Sequence, residues 1–203
     1  TPDSSELLYV SKKKSGAEYA QSTNTDIYAY NLASKSTRNL TESNLGYDVN
    51  PKFSPNGQML SWQSMERDGY EADKNKIMVM DWKTKSKTDL TKNWDESATG
   101  DVFWSTDSKD IYFNAAFRGT NHLFSVNIKN PKVAQITIGD FDVTGIVAQN
   151  KNKLLVTRTD FNHNADLFSA DIKSGEMDKI TDVNKDNYAK IAPSKSELKL
   201  VTT

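Results

Sequence analysis

Cysteine is absent from this chain of 203 residues. That excludes a disulfide framework, a thiol nucleophile and a thiolate metal site. Histidine is scarce, with two residues in all, and no His/Glu/Asp cluster has zinc spacing. No apolar run exceeds four residues, as in Ile77 to Met80. A helix needs about 20 to cross a bilayer. Neither sign of charge dominates: 26 Lys+Arg stand against 27 Asp+Glu, a net charge of −1. Without a basic field, nucleic acid is disfavoured as the main partner. The opening Thr1-Pro2-Asp3-Ser4-Ser5-Glu6 does not read as a secretory leader. With 36% hydrophobic and 10% aromatic residues, the material for a packed core is present.

The order of residues says more. Four segments share one pattern: Asp26-Ile27-Tyr28-Ala29-Tyr30-Asn31-Leu32, Lys76 to Trp82, His122 to Ile128, and Asp166 to Ile172. Each closes on Asn or Asp followed by a large apolar residue. A second pattern trails each of them: Arg38-Asn39-Leu40-Thr41, Thr88-Asp89-Leu90-Thr91, Ala134-Gln135-Ile136-Thr137 and Asp178-Lys179-Ile180-Thr181. From Leu40 to Leu90, Ile136 and Ile180 the steps are 50, 46 and 44 residues. Two motifs kept in step four times define an internal repeat.

A third pattern precedes them, clearest at Pro51-Lys52-Phe53-Ser54-Pro55-Asn56-Gly57 followed by Met59-Leu60-Ser61-Trp62. Weaker copies start at Val102, Ile146 and Ile191, the last leading into Leu198-Lys199-Leu200. Thr1-Pro2-Asp3 before Leu7-Leu8-Tyr9-Val10 reads as the tail of one more copy. Each repeat thus holds four short β-rich runs, A to D, separated by turn-forming Pro, Asn, Asp, Ser and Gly. No stretch shows a helical period with caps.

Run C is apolar at successive positions, so both faces of that strand should be buried. Run D carries one apolar residue among polar ones, which suits a half-solvated outer edge. A four-stranded antiparallel sheet packed on both faces and wet at one edge is a propeller blade, and a period of 40–50 residues agrees. The expected fold is all-β: a partial β-propeller of four-stranded antiparallel blades, about four plus an incomplete one. The expected blades are residues 1–41 (incomplete), 42–91, 92–137, 138–181 and 182–203 (incomplete). A β-sandwich or barrel is the alternative, but it gives no reason for two motifs to recur in phase. Open blade edges would favour self-association or strand exchange.

The stretch from Phe53 to Trp62 resembles the WD-like repeat of TolB-type propellers. The same repeat builds the N-terminal propeller of the prolyl-oligopeptidase family of serine peptidases. Ser64-Met65-Glu66-Arg67-Asp68-Gly69-Tyr70-Glu71-Ala72-Asp73-Lys74-Asn75-Lys76 looks like a blade loop of its bacterial dipeptidyl-peptidase-like and acylaminoacyl-peptidase-like members. Asp89-Leu90-Thr91-Lys92-Asn93-Trp94-Asp95 fits that group too. Residues 138–150 depart from the pattern and lack Ser-Pro-Asp-Gly at the turn. The resemblance implies a longer parent in which the propeller caps an α/β-hydrolase domain carrying a Ser-Asp-His triad. It also implies a peptide substrate and a periplasmic or secreted setting, with no cofactor. A non-enzymatic, TolB-like interaction propeller is the alternative; a glycan-binding one is a third.

The chain itself lacks that triad's nucleophile elbow: none of its nine glycines begins Gly-x-Ser-x-Gly. His122 and His163 read as surface residues rather than bases, so no catalytic residue is assigned. No phosphate loop occurs. Asp182-Val183-Asn184-Lys185-Asp186 opens like a calcium loop but continues with Asn187 for Gly and Pro193 for Glu, so a polar connector is preferred. Asn39-Leu40-Thr41 matches a glycosylation acceptor, but the D run explains its Leu-Thr. No metal site is assigned.

The loops carry the better signal. B–C and D–A connections should share one end of the blades and hold the longer segments. These are Lys12–Thr25, Glu66–Asn75, Asn114–Asn121 and Asp160–Asn164 between B and C, and Glu42–Asp48, Lys92–Ala98, Ile138–Asp142 and Asp182–Asn187 between D and A. They gather acidic residues. Within the resemblance, an exopeptidase must favour a free α-amine, which is largely protonated below its pKa of about 8. A carboxylate in a partly dry site would bind that ammonium. Glu66 and Glu71 are the candidates, with Tyr70 as an aromatic wall and Arg67 completing the substrate-binding set. The same residues also read as a solvated acidic loop, salt-bridged through Arg67. Trp62, Trp82 and Trp104 are expected within strands, as packing residues.

Overall fold

A computed structural model describes residues 1–195, 197, 199 and 201. Leu198, Leu200 and the final two threonines, part of the expected closing B run, lie outside the described residues. The first sheet has three strands: β1 (Glu6–Ser11), β2 (Asp26–Asn31) and β3 (Thr37–Asn39), in that order. The second has β4 (Asp48–Phe53), β5 (Met59–Ser64), β6 (Lys76–Asp81) and β7 (Lys87–Asp89). The third has β8 (Ala98–Trp104), β9 (Asp110–Phe117), β10 (Thr120–Asn127) and β11 (Val133–Gln135). The fourth has β12 (Asp142–Asn150), β13 (Lys153–Thr159), β14 (Asp166–Asp171) and β15 (Met177–Lys179). Every sheet follows chain order from edge to edge.

Local chemistry explains the repeat. Each C strand ends on Asn31, Asp81, Asn127 or Asp171, whose side-chain oxygen accepts the N–H groups two and three residues on. That fixes the C–D turn without tertiary help. In the A–B turns, Ser54 Oγ donates to Asn56 Oδ1 at 2.7 Å and Ser105 Oγ to Asp107 Oδ1 at 2.8 Å. Thr1 and Asp3 make the same bond at 2.6 Å. The fourth sheet turns instead through Lys151 and Asn152, with Lys151 at φ 54°.

The Leu-Thr motif has its own function. Thr41, Thr91, Thr137 and Thr181 each accept, through the hydroxyl, the N–H of Ile27, Ile77, Leu123 and Leu167, always across 14 residues. The neighbouring apolar residue donates its own N–H to the same C strand, as Leu40 does to Ile27 O at 2.8 Å. D strands this short gain their attachment from these bonds.

The chain divides into two compact units. Thr1–Ala98, Trp104–Ile111 and Val126–Val133 form one, and Thr99–Phe103, Tyr112–Ser125 and Ala134–Thr203 the other. In the first, Ile27, Ala29, Leu60, Trp62 and Met80 form the core, with Leu8, Phe53 and Trp82 against it. Ile27, Tyr28 and Ala29 are all buried, so both faces of β2 are covered. Trp62 Nε1 donates to the buried Asp48 Oδ1 at 2.7 Å, and Trp104 Nε1 to Ser61 Oγ at 2.8 Å. In the second unit, Tyr112, Leu123, Val143, Leu154, Val156 and Ala170 form the core.

The structure departs from the sequence reading at four places. Among the described residues two short helices occur, α1 (Gly16–Gln21) and α2 (Lys185–Tyr188). Neither buries a residue, so neither leaves an apolar stripe to be read. α2 replaces the calcium-like connector. The expected loop at 114–121 is mostly strand: β9 and β10 meet at Arg118-Gly119, with φ of 53° and 92°, a two-residue hairpin turn. Trp82 lies just beyond β6, edge-on to Phe53 at 4.9 Å, with Lys85 Nζ 3.4 Å from its ring. His122 is buried, not superficial. It occupies the C-strand position of Asp26, Lys76 and Asp166 and, like the two aspartates, meets the threonine of the D strand, here Thr137 at 3.4 Å. Burial pushes its pKa down.

β1 differs from its counterpart in the second sheet. Leu7 and Leu60 hold the same register position, opposite Tyr30 and Met80. Leu60 is 1% exposed and Leu7 58%. β5 has β4 on its far side; β1 has no strand there among the described residues.

Candidate functional site

Because the strands alternate, each sheet keeps its A–B and C–D turns at one end and its B–C and D–A connections at the other. In the first unit this second end carries the 12–25 segment with α1, the 40–47 and 90–97 connections, and the 65–75 loop. All four candidate residues, Glu66, Arg67, Tyr70 and Glu71, lie on that last loop.

The loop is anchored at both ends. Met65 N–H donates to Tyr47 O at 2.9 Å, and Asn44 Nδ2 donates to Met65 O at 2.8 Å. Gly46 lies so near the Met65 carbonyl that a Cβ there would collide with it. At the other end Lys74 Nζ donates to Trp94 O at 2.7 Å and Thr91 O at 3.1 Å. Asn75 Nδ2 donates to Ala98 O at 2.9 Å.

Asp68 makes the central attachment. Its Oδ1 accepts Ser22 Oγ at 2.7 Å, Thr23 N–H at 2.8 Å and Asn24 N–H at 3.1 Å. Gly69, at φ 71°, returns a bond from its N–H to Thr23 Oγ1 at 2.9 Å. These donors, the Ser22 hydroxyl foremost, hold the Asp68 carboxyl below the usual range.

Arg67 is engaged within its own loop. Its Nε donates to Asp73 Oδ1 at 2.8 Å, with a second guanidinium nitrogen on the same oxygen. Its N–H meets Asp73 Oδ2 at 2.8 Å, and the guanidinium lies 3.8 Å from the Tyr70 ring centre. The Arg67 hydrogen bond holds the Asp73 carboxyl low. Arg67 therefore supports the Tyr70 wall and has its charge matched internally. Glu66 faces solvent, its side chain 77% exposed, with Lys76 Nζ at 3.4 Å. Tyr70 and Glu71 are exposed as well. The geometry brings Arg67, Asp73 and Tyr70 together and leaves Glu66 and Glu71 extended from a fixed base.

In the second unit the same end carries Asp140, Phe141, Asp142, Asp160 and Phe161, which line a cleft of about 550 Å³. Asp142 accepts Asn121 N–H at 2.7 Å. Asp160 accepts from His163 Nδ1 at 2.8 Å. Asp68, Asp73, Asp142 and Asp160 are among the acidic residues that the long loops gather. The structure gives each a local hydrogen-bonding role. Among the described residues no group of three or more His, Asp or Glu is arranged to hold a metal ion.

Four repeats with the same C–D turn chemistry, strands paired in chain order and the same threonine bonds define a class of β-sheet repeat protein. The chain belongs to the TolB β-propeller domain family, whose pattern matches residues 1–201. It is 37% identical to dipeptidyl-peptidase 5 of Porphyromonas gingivalis and 39% identical to that of Porphyromonas endodontalis, over all 203 residues. The chain spans 29% of the length of each of these relatives. Among solved structures it is similar to an acylaminoacyl peptidase of Pyrococcus horikoshii, with TM-score 0.71 and 17% identity. That likeness covers 93% of this chain and 28% of the other. TolB of Acinetobacter baumannii is also similar, with TM-score 0.58 and 18% identity over 89% of this chain and 41% of that one. The fold is a partial β-propeller.

Proposed function

We propose that the chain is the propeller portion of a serine exopeptidase of the dipeptidyl- or acylaminoacyl-peptidase type. In this reading its loop-bearing end faces a separate α/β-hydrolase domain, restricts access to it and helps recognise the substrate's N-terminus. One observation carries it most directly: in each unit, exposed large apolar side chains lie on the B–C and D–A connections. Tyr19, Leu45 and Tyr70 lie there in the first unit, and Ile138, Phe161 and Val183 in the second. Leu32 is the one such residue in the described A–B and C–D turns, while Leu7, Val10 and Val147 lie within strands. Exposed apolar surface of this kind marks an interaction face. The relatives named dipeptidyl-peptidase 5 supply the reaction class.

The blade division 1–41, 42–91, 92–137, 138–181 and 182–203 belongs to this proposal, supported by the ranges of the sheets. So does self-association through an open edge, supported by the exposed Leu7 and Val10 of β1. Within the site, Glu66 and Glu71 are proposed as the carboxylates that meet a substrate ammonium, with Tyr70 as the wall that Arg67 steadies.

The test is the ratio of kcat/KM for a dipeptidyl substrate with a free amine over the same substrate N-acetylated, in the protein as its gene encodes it. Glu66→Gln with Glu71→Gln should lower that ratio at least tenfold. An unchanged ratio removes both residues from recognition. A gene lacking Gly-x-Ser-x-Gly beyond this region would favour the interaction propeller instead.

A further inference from the structure

Arg158 has no part in the reading above. It sits near the end of β13, across from Val143 on β12 and Asp166 on β14. Its guanidinium lies 4.0 Å from the Phe141 ring centre and 4.7 Å from that of Phe168. A guanidinium carries five N–H donors around its edge. Among the described residues none of them has a hydrogen-bond acceptor.

The nearby carboxylates bond to other donors, and neither bonds to Arg158. Asp166 Oδ1 accepts Thr181 Oγ1 at 2.8 Å and Val183 N–H at 3.1 Å, while Oδ2 pairs with Lys179 Nζ at 3.1 Å. Asp160 attracts Arg158 through space. Its Oδ1 already takes the N–H groups of Asn162 and His163, each at 2.9 Å, and the His163 ring. Aromatic rings hold the guanidinium in place without using its edge. Partial burial disfavours its charge, and an anion beside it would offset that.

A cavity of about 260 Å³ opens beside it, lined also by His163, Asn164, Lys179 and the two carboxylates Asp160 and Asp166. At about 30 Å³ per water molecule, it holds a group of several heavy atoms. We propose that this cavity is a binding site for a peptide carboxylate, gripped by Arg158 through the paired N–H···O geometry that a guanidinium offers a planar anion. The proposal stands on the Arg158 geometry and is independent of the peptidase reading. The carboxylate can come from a chain terminus or from an Asp or Glu side chain.

The test is titration calorimetry on the protein as its gene encodes it. The probes are N-acetyl-Ala-Ala as acid and as amide, N-acetyl-aspartyl amide, and inorganic phosphate. At least one carboxylate probe should bind tenfold or more tighter than the neutral dipeptide amide. Binding of the dipeptide acid assigns a terminal carboxylate, and binding of the aspartyl amide a side-chain one. Arg158→Met, which keeps the stem and removes the donors, should abolish the preference. Equal binding of acid and amide, a preference that survives Arg158→Met, or phosphate binding as tightly as the carboxylates would overturn the proposal. Should Arg158→Met fail to fold, Arg158→Lys decides: a lysine cannot form the fork, so unchanged affinity for the acid overturns the assignment.

Discussion

The Asp68 carboxylate accepts the Ser22 hydroxyl at 2.7 Å, the shortest of the bonds that join the 65–75 loop to the segment that follows α1. The two residues are 46 positions apart in the chain. The loop that carries Glu66, Tyr70 and Glu71 therefore has a fixed base although its tip is exposed.

Asp68→Ala should release that base. Amide hydrogen exchange in residues 66–72 should speed up at least tenfold while the strands stay protected. The pH dependence follows from the lowered pKa of Asp68. A carboxylate held low in the folded state contributes its stability above the unfolded pKa and loses it as pH falls through the folded one. Loop protection should hold from pH 7 to 5 and fall in acid below the ordinary value of 3.8. In Asp68→Asn this carboxylate's contribution to the acid loss should vanish.

The threonine bonds predict a cost repeated from sheet to sheet. Thr41→Val or Thr91→Val leaves the buried N–H of Ile27 or Ile77 without its acceptor. An orphaned buried donor costs about 1–3 kcal/mol. Urea unfolding should show this loss for each valine variant and less than half of it for the serine variants, which keep the hydroxyl.

Trp62 is 2% exposed and packs in the core of the first unit. Trp62→Ala should cost about 3–5 kcal/mol by chemical denaturation. Trp62→Phe should recover much of the packing but leave Asp48 Oδ1 without its 2.7 Å donor. A loss under about 1 kcal/mol for the alanine variant would contradict the β5 register.

Gly175 and Lys35 occupy the same place in two C–D turns, with φ of 74° and 60°. They should respond in opposite directions. Gly175→Ala puts a Cβ into the Ile136 carbonyl as well as straining the backbone. It should cost at least about 1–3 kcal/mol. Lys35→Gly removes a strained side chain at an exposed site and should gain up to about 1 kcal/mol. Thermal unfolding of the two variants checks both signs.

What could be read from the sequence was chemistry that closes over a few residues. Asn31 and Asp81 cap their own turns, and Ser54 bonds to Asn56, so these motifs repeat visibly. The β9–β10 hairpin was hidden because Asn114 and Arg118-Gly119 look like loop. Asn114 is buried in a strand because its Nδ2 donates to Val143 O, a partner 29 residues away. The candidate site was legible only as a stretch of chain. Glu66, Arg67, Tyr70 and Glu71 do share one loop. That Arg67 is absorbed by Asp73 while Asp68 serves Ser22 follows from three-dimensional pairing. Arg158 was invisible for the same reason, since Phe141 and Phe168 flank it only in the folded sheet.

Each D strand is fastened by a hydroxyl from its own segment, so a sheet does not borrow that bond from the next one. A gene that duplicates one such segment delivers a strand set already complete at its outer margin. Evolution can then lengthen or shorten the array in whole modules, leaving the connecting loops free to diverge.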